Sequence, residues 1–314
     1  MMDRVLEEGL VADYDEVAAR MSMRHHYIGF ERALGPERRT FVAPFRYGDQ
    51  GWMDYQPMQL SFPLNVWNVT EADEDWRRIE SLRERSGYDW HKVVPFRDKG
   101  DMNHDEPWLL YLQGKKPEYP TEILGAAYAQ VCHRLAQIKA DDSDLEAGPY
   151  IHLWQQVQPV TTEALVQLTQ GCPQVVYYGG IPNARVRYFD GLRKRPGLPK
   201  DVAALVDTIA PSHVGLTLVN LSPCSSREAV IQAGGLGEHW FRAARFDCSE
   251  TGYPGRTSAY AADQPVIAER QVEIGGTYVR VALPPATRIH LTLEMDRYAN
   301  APSYLPPGSA GLYG

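Results

Sequence analysis

The chain has 314 residues, of which 44% are hydrophobic and 23% charged, a composition typical of folded proteins at a length that suits two domains. Its formal net charge of −8 argues against nucleic acid or a membrane surface as a partner, because both require a basic face. The four cysteines form no C-x-x-C pair, so we predict reduced thiols and no structural zinc site.

The first 70 residues combine one predicted helix with a long irregular segment. The helix spans residues 3–23, in which these apolar residues recur at helical spacing: Val11, Tyr14, Val17, Ala18 and Met21. We find no signal-peptide core and no run of ~18 apolar residues, so we predict a cytoplasmic protein. Residues 24–70 are rich in Gly, Pro and aromatic residues without a clean period, and we interpret them as ordered loops that wall a cleft.

Four further helices are predicted before residue 211, with bounds set by capping residues and prolines. They run from Thr70 to Arg85, from Pro120 to Asp141, from Thr161 to Gly171 and from Pro199 to Pro211. The second has the most regular apolar stripe: Leu124, Tyr128, Val131, Leu135 and Ile138. Residues 87–119 are predicted to form a loop, in which Pro107 keeps Glu106 out of any helix.

After Pro211 the apolar period changes from helical spacing to alternation, which is typical of strands with one wet face. Alternation is clearest from Ile289 to Met295, and Ile274–Thr277 has the composition of a two-residue hairpin turn. We therefore predict an α+β multidomain protein with three parts. They are a mostly helical domain at residues 1–210, an antiparallel β-sandwich at 211–298 and a Pro/Gly-rich coil tail at 299–314.

Three segments of the β-domain carry a resemblance to a known architecture: Gly215–Ser222, Arg227–Gln232 and Val279–Pro285. Their texture resembles the C-terminal part of bacterial carbohydrate-active enzymes built from an (α/α) toroid and a β-sandwich. The resemblance implies a toroid-like helical domain. A full toroid has about a dozen helices and only five are predicted here, so the helical domain would be a partial toroid, or a homo-oligomer or partner chain would complete it.

The densest group of titratable residues lies in the segment from Arg97 to Trp108. General acid and base chemistry on a glycoside requires two carboxylates, one protonated and one ionised. The catalytic candidates are Asp101, His104, Asp105 and Glu106, with Asp54 as a distant carboxylate partner. The alternative is that the four carboxylates of this segment are solvated, or that Asp98, Asp101 and Asp105 pair with Arg97 and Lys99, because charge clusters are common on protein surfaces.

Aromatic and hydrogen-bonding residues near these acids are candidates for contact with a polyol. The substrate-binding candidates are Trp52, Tyr55, Gln56, Trp108, His152, Trp154, Gln155, Arg185 and Arg187. Three of these groups have a structural alternative. His152 would be a core histidine, and the residues around Asp54 would be an aromatic-stapled turn. The basic run from Arg185 to Arg195 would be a solvated face or an intramolecular partner for the acids at 71–75 or 98–106.

The first functional hypothesis is a carbohydrate-active enzyme, either a glycoside hydrolase or a lyase-like protein, acting on a small-molecule or oligosaccharide substrate. The second is a non-catalytic binding or assembly subunit that docks a partner chain. The third is a metal-dependent oxygenase in which His104 and Asp105 or Glu106 join His152 or the pair His25–His26. Because no spacing selects a metal site and no nucleotide-binding or zinc-protease motif is present, we predict no metal and no cofactor.

Overall fold

A computed structural model describes eight ranges of the chain: residues 42–46, 52–57, 60–86, 89–95, 105–143, 157–174, 183–249 and 267–310. The chain divides into two compact units. Unit 1 comprises residues 1–167 and 172–183, and unit 2 comprises residues 168–171 and 184–314. The helix predicted over residues 3–23 lies outside the described residues. Within them, no helix is long and apolar enough to cross a membrane.

The first described residues of unit 1 form regular structure in part of the segment predicted to be loops. Strands β1 (Val42–Arg46) and β2 (Trp52–Pro57) pair antiparallel, and helix α1 (Ser61–Thr70) follows. The strands are short, and their dense aromatic residues obscure the alternation that would have identified them. The prediction that residues 42–46, 52–57 and 61–70 are irregular was therefore wrong.

Helix α2 (Asp73–Ser86) confirms the helix predicted to begin at Thr70. The Thr70 hydroxyl accepts a hydrogen bond from the Ala72 amide at 3.2 Å and donates one to Asp75 Oδ2 at 2.5 Å. Three acidic residues occupy the first turn, where the helix dipole favours negative charge. Ile79 and Leu82 are buried on the predicted apolar face.

Helix α3 (Glu106–Leu112) lies within the segment predicted to be a loop. Pro107 was expected to keep Glu106 out of a helix, and this was wrong. The proline occupies the first turn, where its missing N–H is not required for an intrahelical hydrogen bond. Five of the seven residues of α3 are buried, including Glu106, Trp108 and Leu109, so this helix is part of the interior of unit 1.

Helix α4 (Tyr119–Ala140) confirms the longest helix prediction and ends where Asp141 adopts an extended conformation. Its buried residues are Tyr119, Ile123 and Arg134. The apolar stripe identified in the sequence lies on another side of the helix, with Tyr128 72% exposed. Helix α5 (Glu163–Gln170) also confirms its prediction, and Gly171 follows it with a φ of +69°, a conformation that favours glycine.

Unit 2 contains two antiparallel sheets. The first consists of β3 (Val186–Asp190), β4 (Arg195–Pro196), β7 (Arg227–Ala233) and β10 (Tyr278–Leu283), in the order β10-β7-β3-β4. The second consists of β5 (Val202–Ala210), β6 (His213–Asn220), β8 (Trp240–Ser249), β9 (Ile267–Gly276) and β11 (Arg288–Asp296), in the order β5-β6-β11-β8-β9.

Both sheets contribute to one hydrophobic core, in which Val186 and Ile231 of the first sheet join Leu216 and Leu293 of the second. The alternation predicted for the last strand is confirmed, since Leu291, Leu293 and Met295 are buried while His290 is exposed. The α+β class is therefore confirmed, with helices and a two-sheet β-sandwich. The described helices do not establish a toroid.

The helix predicted from Pro199 to Pro211 was wrong, because residues 202–210 form strand β5. Val202, Val206 and Ile209 are β-branched residues, which favour strands. An irregularity between Val206 and Thr208 shifts the alternation by one residue, so that the apolar positions acquire a helical spacing. The first strand of these two sheets, β3, begins at Val186, before the domain boundary predicted near residue 211.

The two-residue hairpin predicted at Ile274–Thr277 was wrong, because β9 continues to Gly276 and Thr277 alone separates it from β10. Strand β9 pairs with β8 and β10 pairs with β7, so the chain passes from one sheet to the other at Thr277. Gly275 has a positive φ of +60°, a conformation that favours glycine. The described part of the tail is irregular up to a 3-10 helix at Pro307–Ala310.

Candidate functional site

Asp105 and Glu106 are buried at the start of α3, with 5% and 2% of their surfaces exposed. The burial follows from the sequence that succeeds them. Pro107 initiates the helix, and its first turns are buried in the interior of unit 1 because Trp108, Leu109 and Leu110 pack there. The alternative in which these two acids are solvated is thus wrong. Buried carboxylates require compensating contacts, so their surroundings decide what they can do.

The Asp105 carboxylate has two hydrogen-bond donors at one oxygen. Oδ1 accepts from Gln167 Nε2 at 2.7 Å and from the Gln174 main-chain amide at 3.0 Å. Donors of this kind favour the ionised form of a carboxyl group. Gln167 lies on α5, and Gln174 ends the buried segment of residues 171–174. These two donors hold the Asp105 carboxyl group in one orientation inside unit 1.

Gln167, Gln174 and Tyr119 form a hydrogen-bonded triangle beside Asp105. The Tyr119 hydroxyl donates to Gln167 Oε1, which also accepts from Gln174 Nε2 at 3.0 Å. Gln174 Nε2 lies 3.3 Å from the Tyr119 hydroxyl oxygen as well. Since Gln167 donates to Asp105 and accepts from both neighbours, its amide orientation is fixed. Burial, and secondarily the charge of Asp105, raises the pKa of Tyr119 well above its usual value, so the phenol remains protonated.

Glu106 differs from these neighbours because neither of its carboxyl oxygens accepts a hydrogen bond from the described part of the chain. Burial raises the pKa of Glu106 to about 8, and the adjacent charge of Asp105 adds to the effect. The main-chain amides of Glu106 and Asp105 act in the opposite direction without reaching hydrogen-bond geometry. At neutral pH the Glu106 side chain is thus a buried carboxylic acid that holds its proton.

We call these five side chains the α3 cluster: Asp105, Glu106, Tyr119, Gln167 and Gln174. They place Glu106, a protonated acid, beside a second carboxyl group that hydrogen bonds hold in one orientation. Acid and base catalysis on a glycoside uses two carboxyl groups. Two further polar atoms near this part of the chain, Gln174 Oε1 and Trp108 Nε1, have no partner within the described residues. The cluster therefore has hydrogen-bonding capacity that the described chain does not use.

The remaining catalytic candidates are placed differently. Asp54 lies on β2, opposite Phe45 of β1. The structure describes the main chain of this strand and not its side chains. Asp101 and His104 lie outside the described residues. Of the candidate set, the structure thus brings together Asp105 and Glu106 alone among described side chains. Tyr119, Gln167 and Gln174 were missed, since nothing in their spacing distinguishes them from ordinary polar residues.

The substrate-binding candidates are also dispersed. Trp52, Tyr55 and Gln56 are on β2, and His152, Trp154 and Gln155 lie outside the described residues. Trp108 is fully buried, so neither face of its ring is open to a ligand in this conformation. No group of three or more His, Cys, Asp and Glu side chains among the described residues is arranged to hold a metal ion.

Arg185 and Arg187 belong to unit 2. Arg185 is buried and its main-chain amide donates to the Gln170 carbonyl at 2.8 Å, so for this residue the solvated-face alternative is wrong. The Arg187 guanidinium lies 5.1 Å from the centre of the Phe189 ring and donates to the Gly235 carbonyl at 3.4 Å. Arg193, Lys194 and Arg195 are exposed, as expected of a solvated face.

A shallow surface depression lies between α2 and α3. It spans about 170 Å³, including space open to solvent, and is lined by Trp76, Ile79, Arg83, Trp90 and Leu109, among others. Small-molecule sites usually enclose at least ~300 Å³. The Arg83 guanidinium is 6.0 Å from the centre of the Trp90 ring and 3.6 Å from Glu80. The depression is therefore a packed junction of helices rather than a site for a sugar ring.

A family model described as "Domain of unknown function (DUF8034)" matches residues 1–166. No curated protein matches the chain. Two structures of a xyloglucanase from Paenibacillus polymyxa, of glycoside hydrolase family 44, are weakly similar, and one of them contains xyloglucan. Each is 16% identical with a TM-score of 0.22, covering 30% of this chain and 16% or 17% of the enzyme. The chain thus spans about a sixth of the length of these enzymes. Similarity at this level has no bearing on its function.

Proposed function

The chain belongs to the DUF8034 family, and we propose that it is a carbohydrate-active enzyme in which Glu106 acts as the general acid. The observation that carries the proposal is the Glu106 carboxyl group, which is buried, has no hydrogen-bond partner within the described residues and has a pKa raised to about 8. Structural carboxyl groups in protein interiors are normally hydrogen-bonded. Perturbed carboxyl groups without such partners concentrate at functional sites.

In the proposed reaction, Glu106 donates its proton to the glycosidic oxygen as the bond to the sugar breaks. Asp105 cannot easily take this role, because Gln167 and Gln174 hold its carboxylate in a fixed, donor-rich setting. Its negative charge instead helps to keep Glu106 protonated. A second carboxylate must act as nucleophile or base, and Asp54 and Asp101 are the candidates. In a hydrolase this group attacks the sugar or activates water; in a lyase a base removes a proton from it.

Because Glu106 is covered in the ligand-free chain, the proposal requires a substrate that displaces the residues covering it. An oligosaccharide suits this requirement, since its hydroxyl groups can satisfy Gln174 Oε1 and Trp108 Nε1, which lack partners among the described residues. These two atoms, one an acceptor and one a donor, support a hydroxyl-bearing substrate in the proposal. Neither the sugar nor the stereochemical outcome is part of the proposal.

Activity on a panel of aryl glycosides and polysaccharides tests the proposal, with reducing-sugar release and ultraviolet absorbance of unsaturated products distinguishing hydrolysis from elimination. Activity should fall above about pH 8, where Glu106 loses its proton. Glu106→Gln should lower kcat/KM by about 10²–10⁴-fold, the usual contribution of a general acid. Asp105→Asn is the informative companion, because it should move the alkaline limb to lower pH.

Two results would contradict the proposal. One is the absence of turnover across the panel by a protein whose fold is intact. The other is a Glu106→Gln variant that retains full activity with an unchanged pH profile.

A further inference from the structure

The turns and loops at one end of the unit 2 sandwich form a continuous surface. In the first sheet β3 ends and β7 begins there, because Asp190 pairs with Ala229. In the second sheet β6 ends and β5 begins there, because Asn220 pairs with Val202. The Asn220 side chain joins the two sheets, since its Nδ2 atom donates to the Leu283 carbonyl at the end of β10. We call this surface the basic end and define it as residues 191–201, 221–227 and 284–288.

The basic end carries positive charge in a chain whose formal net charge is −8. Its exposed basic residues are Arg193, Lys194, Arg195, Lys200 and Arg288. Within these ranges the acidic residue is Asp201, which pairs with Arg227 at 2.7 Å. Glu228, the next residue along β7, lies 3.8 Å from Arg280. The positive charge of this surface therefore exceeds what its own acids balance.

The buried Asp190 carboxylate holds the turn between β3 and β4 in a fixed shape. Its Oδ1 atom accepts hydrogen bonds from the main-chain amides of Leu192 and Arg193 at 3.2 and 3.0 Å. Its Oδ2 atom lies 3.8 Å from Arg195 Nε. Because the main chain of the turn is already ordered, it loses little conformational entropy when this surface meets a partner.

Two leucines of the basic end are exposed to water. Leu192 and Leu221, on the turn after β3 and the loop after β6, are 65% and 66% exposed. Exposed leucines beside basic side chains suit an anionic membrane, because the leucines enter the boundary of the acyl chains while the cations meet the phosphate groups. A fluid bilayer accepts leucines on separate loops, whereas a protein partner requires a surface of matching shape.

We propose that the basic end of unit 2 binds to the surface of an anionic lipid bilayer. The net charge of the whole chain opposes such binding, but salt screens charges that lie more than ~10 Å from the membrane at about 0.1 M ionic strength. Each basic residue near the surface strengthens binding about fivefold. The distribution of charge is therefore more informative than the total, from which we expected no membrane partner.

Co-sedimentation of the full-length chain with lipid vesicles tests the proposal. Vesicles of phosphatidylcholine and phosphatidylglycerol should bind the chain, and vesicles of phosphatidylcholine alone should not. Replacing two cations in Arg193→Gln/Lys200→Gln should lower the partition coefficient about 25-fold. Arg242→Gln is the control at the opposite end of the sandwich, where β11 ends beside β8, and it should leave the partition coefficient unchanged.

The leucines have a matched control of their own. Leu192→Asn should lower the partition coefficient about fivefold, because an amide does not enter the acyl boundary. Leu305 is also 65% exposed, but it lies in the tail near Ser303, which bonds to Leu236 between β7 and β8. Leu305→Asn should therefore change nothing.

A polarity-sensitive fluorophore on Cys224 shows which part of the chain meets the lipid. Cys224 is exposed and belongs to the basic end, and Cys132 and Cys248 are replaced by serine so that the probe attaches there. Its emission should shift to the blue with anionic vesicles. Urea unfolding followed at Trp240 verifies that unit 2 remains folded in each variant.

Three results would overturn the proposal. The first is no binding to anionic vesicles, or equal binding to both kinds. The second is a folded Arg193→Gln/Lys200→Gln variant with an unchanged partition coefficient. The third is binding of polyglutamate or duplex DNA that requires these two residues while vesicles leave the Cys224 probe unshifted, because the anionic partner would then be a protein or a nucleic acid.

Discussion

His239 in unit 2 and Glu106 in unit 1 are both buried ionisable side chains, but their surroundings differ. The Nδ1 atom of His239 accepts a hydrogen bond from the Tyr298 amide at 3.0 Å, and the two rings pack edge to face. Burial, with the charges of Arg185 and Arg297, lowers the pKa of His239 to about 3. Burial raises the pKa of Glu106 to about 8. Both groups are neutral at pH 7, but the main chain anchors only the histidine ring.

The same contrast holds for uncharged polar groups. In unit 2, Asn220 Nδ2 donates to the carbonyls of Ser225, Leu283 and Pro284 at 2.8, 3.0 and 2.9 Å. The α3 cluster of unit 1 is instead joined mainly from side chain to side chain. Bonds of the first kind are the commoner way to fix a fold, while side-chain networks are rarer. The two regions therefore hold their buried polar side chains by different kinds of hydrogen bond.

The largest expected consequence is an opposite pH dependence of stability in the two units. For His239 the folded pKa is depressed below its ordinary value of 6.5, so unit 2 should lose stability as the pH falls from about 6.5 towards 3. For Glu106 the folded pKa is raised above 4.5, so unit 1 should lose stability as the pH rises from about 4.5 to 8. The free energy of unfolding should change by about 5 kcal/mol at most in each unit over its pH range.

Urea unfolding of protein labelled with 5-fluorotryptophan measures both effects. Six of the seven tryptophans lie in unit 1 and Trp240 lies in unit 2, so their fluorine resonances report the units separately. Glu106→Gln is the control, since it should remove the alkaline loss in unit 1 and leave the Trp240 transition unchanged. Parallel pH slopes in the two units would show that the two groups are not perturbed in opposite senses.

The next effect in size is the loss of an anchored polar group from unit 2. Asn220→Ala leaves three main-chain carbonyls without their donor and should lower the free energy of unfolding of unit 2 by about 3 kcal/mol. Asn220→Asp is the matched variant, because it keeps the shape and replaces the donor by an acceptor. It should destabilise unit 2 at least as much, measured by the Trp240 transition in urea. If both variants change the free energy of unfolding only slightly, the hydrogen bonds from Asn220 to the main chain do not stabilise unit 2.

The sequence predicts the anchored parts of the molecule better than the α3 cluster, for a physical reason. The apolar residues of β11 alternate because one face of the strand is buried, Pro120 lies in the first turn of α4, and Gly171 follows α5 with a positive φ. These signals are local. Strand β5 was mispredicted as a helix because the irregularity between Val206 and Thr208 gives its apolar residues a helical spacing.

The α3 cluster depends on contacts between distant parts of the chain. Tyr119, Gln167 and Gln174 reach Asp105 from three different elements, and no local pattern encodes that meeting. The sequence could indicate Asp105 and Glu106 because acids concentrate there. It could not show that they are buried, since that follows from Pro107 starting α3 rather than preventing it.

A smaller effect is expected within the α3 cluster. Tyr119→Phe removes the hydroxyl that donates to Gln167 and accepts from Gln174. The two glutamine amides can still bond to each other, so unit 1 should lose only about 1–2 kcal/mol of its free energy of unfolding. Under the functional proposal the same change should impair activity through Asp105 positioning. Urea unfolding followed by tryptophan fluorescence measures the change in the free energy of unfolding. A loss above about 4 kcal/mol would show that Tyr119 is required mainly for the stability of unit 1.

The smallest effect is expected at an exposed ion pair of unit 2. Arg242 Nη1 lies 3.5 Å from Asp296 Oδ1 on neighbouring strands, and both side chains are about half exposed. Water screens such a pair and its geometry must be held against side-chain entropy, so Arg242→Gln should change the stability of unit 2 by less than about 0.5 kcal/mol. The Trp240 transition measures it at low and high salt. A salt-dependent loss comparable to that of Asn220→Ala would mean that surface charge, rather than main-chain anchoring, stabilises unit 2, and the contrast with Glu106 would lose its basis.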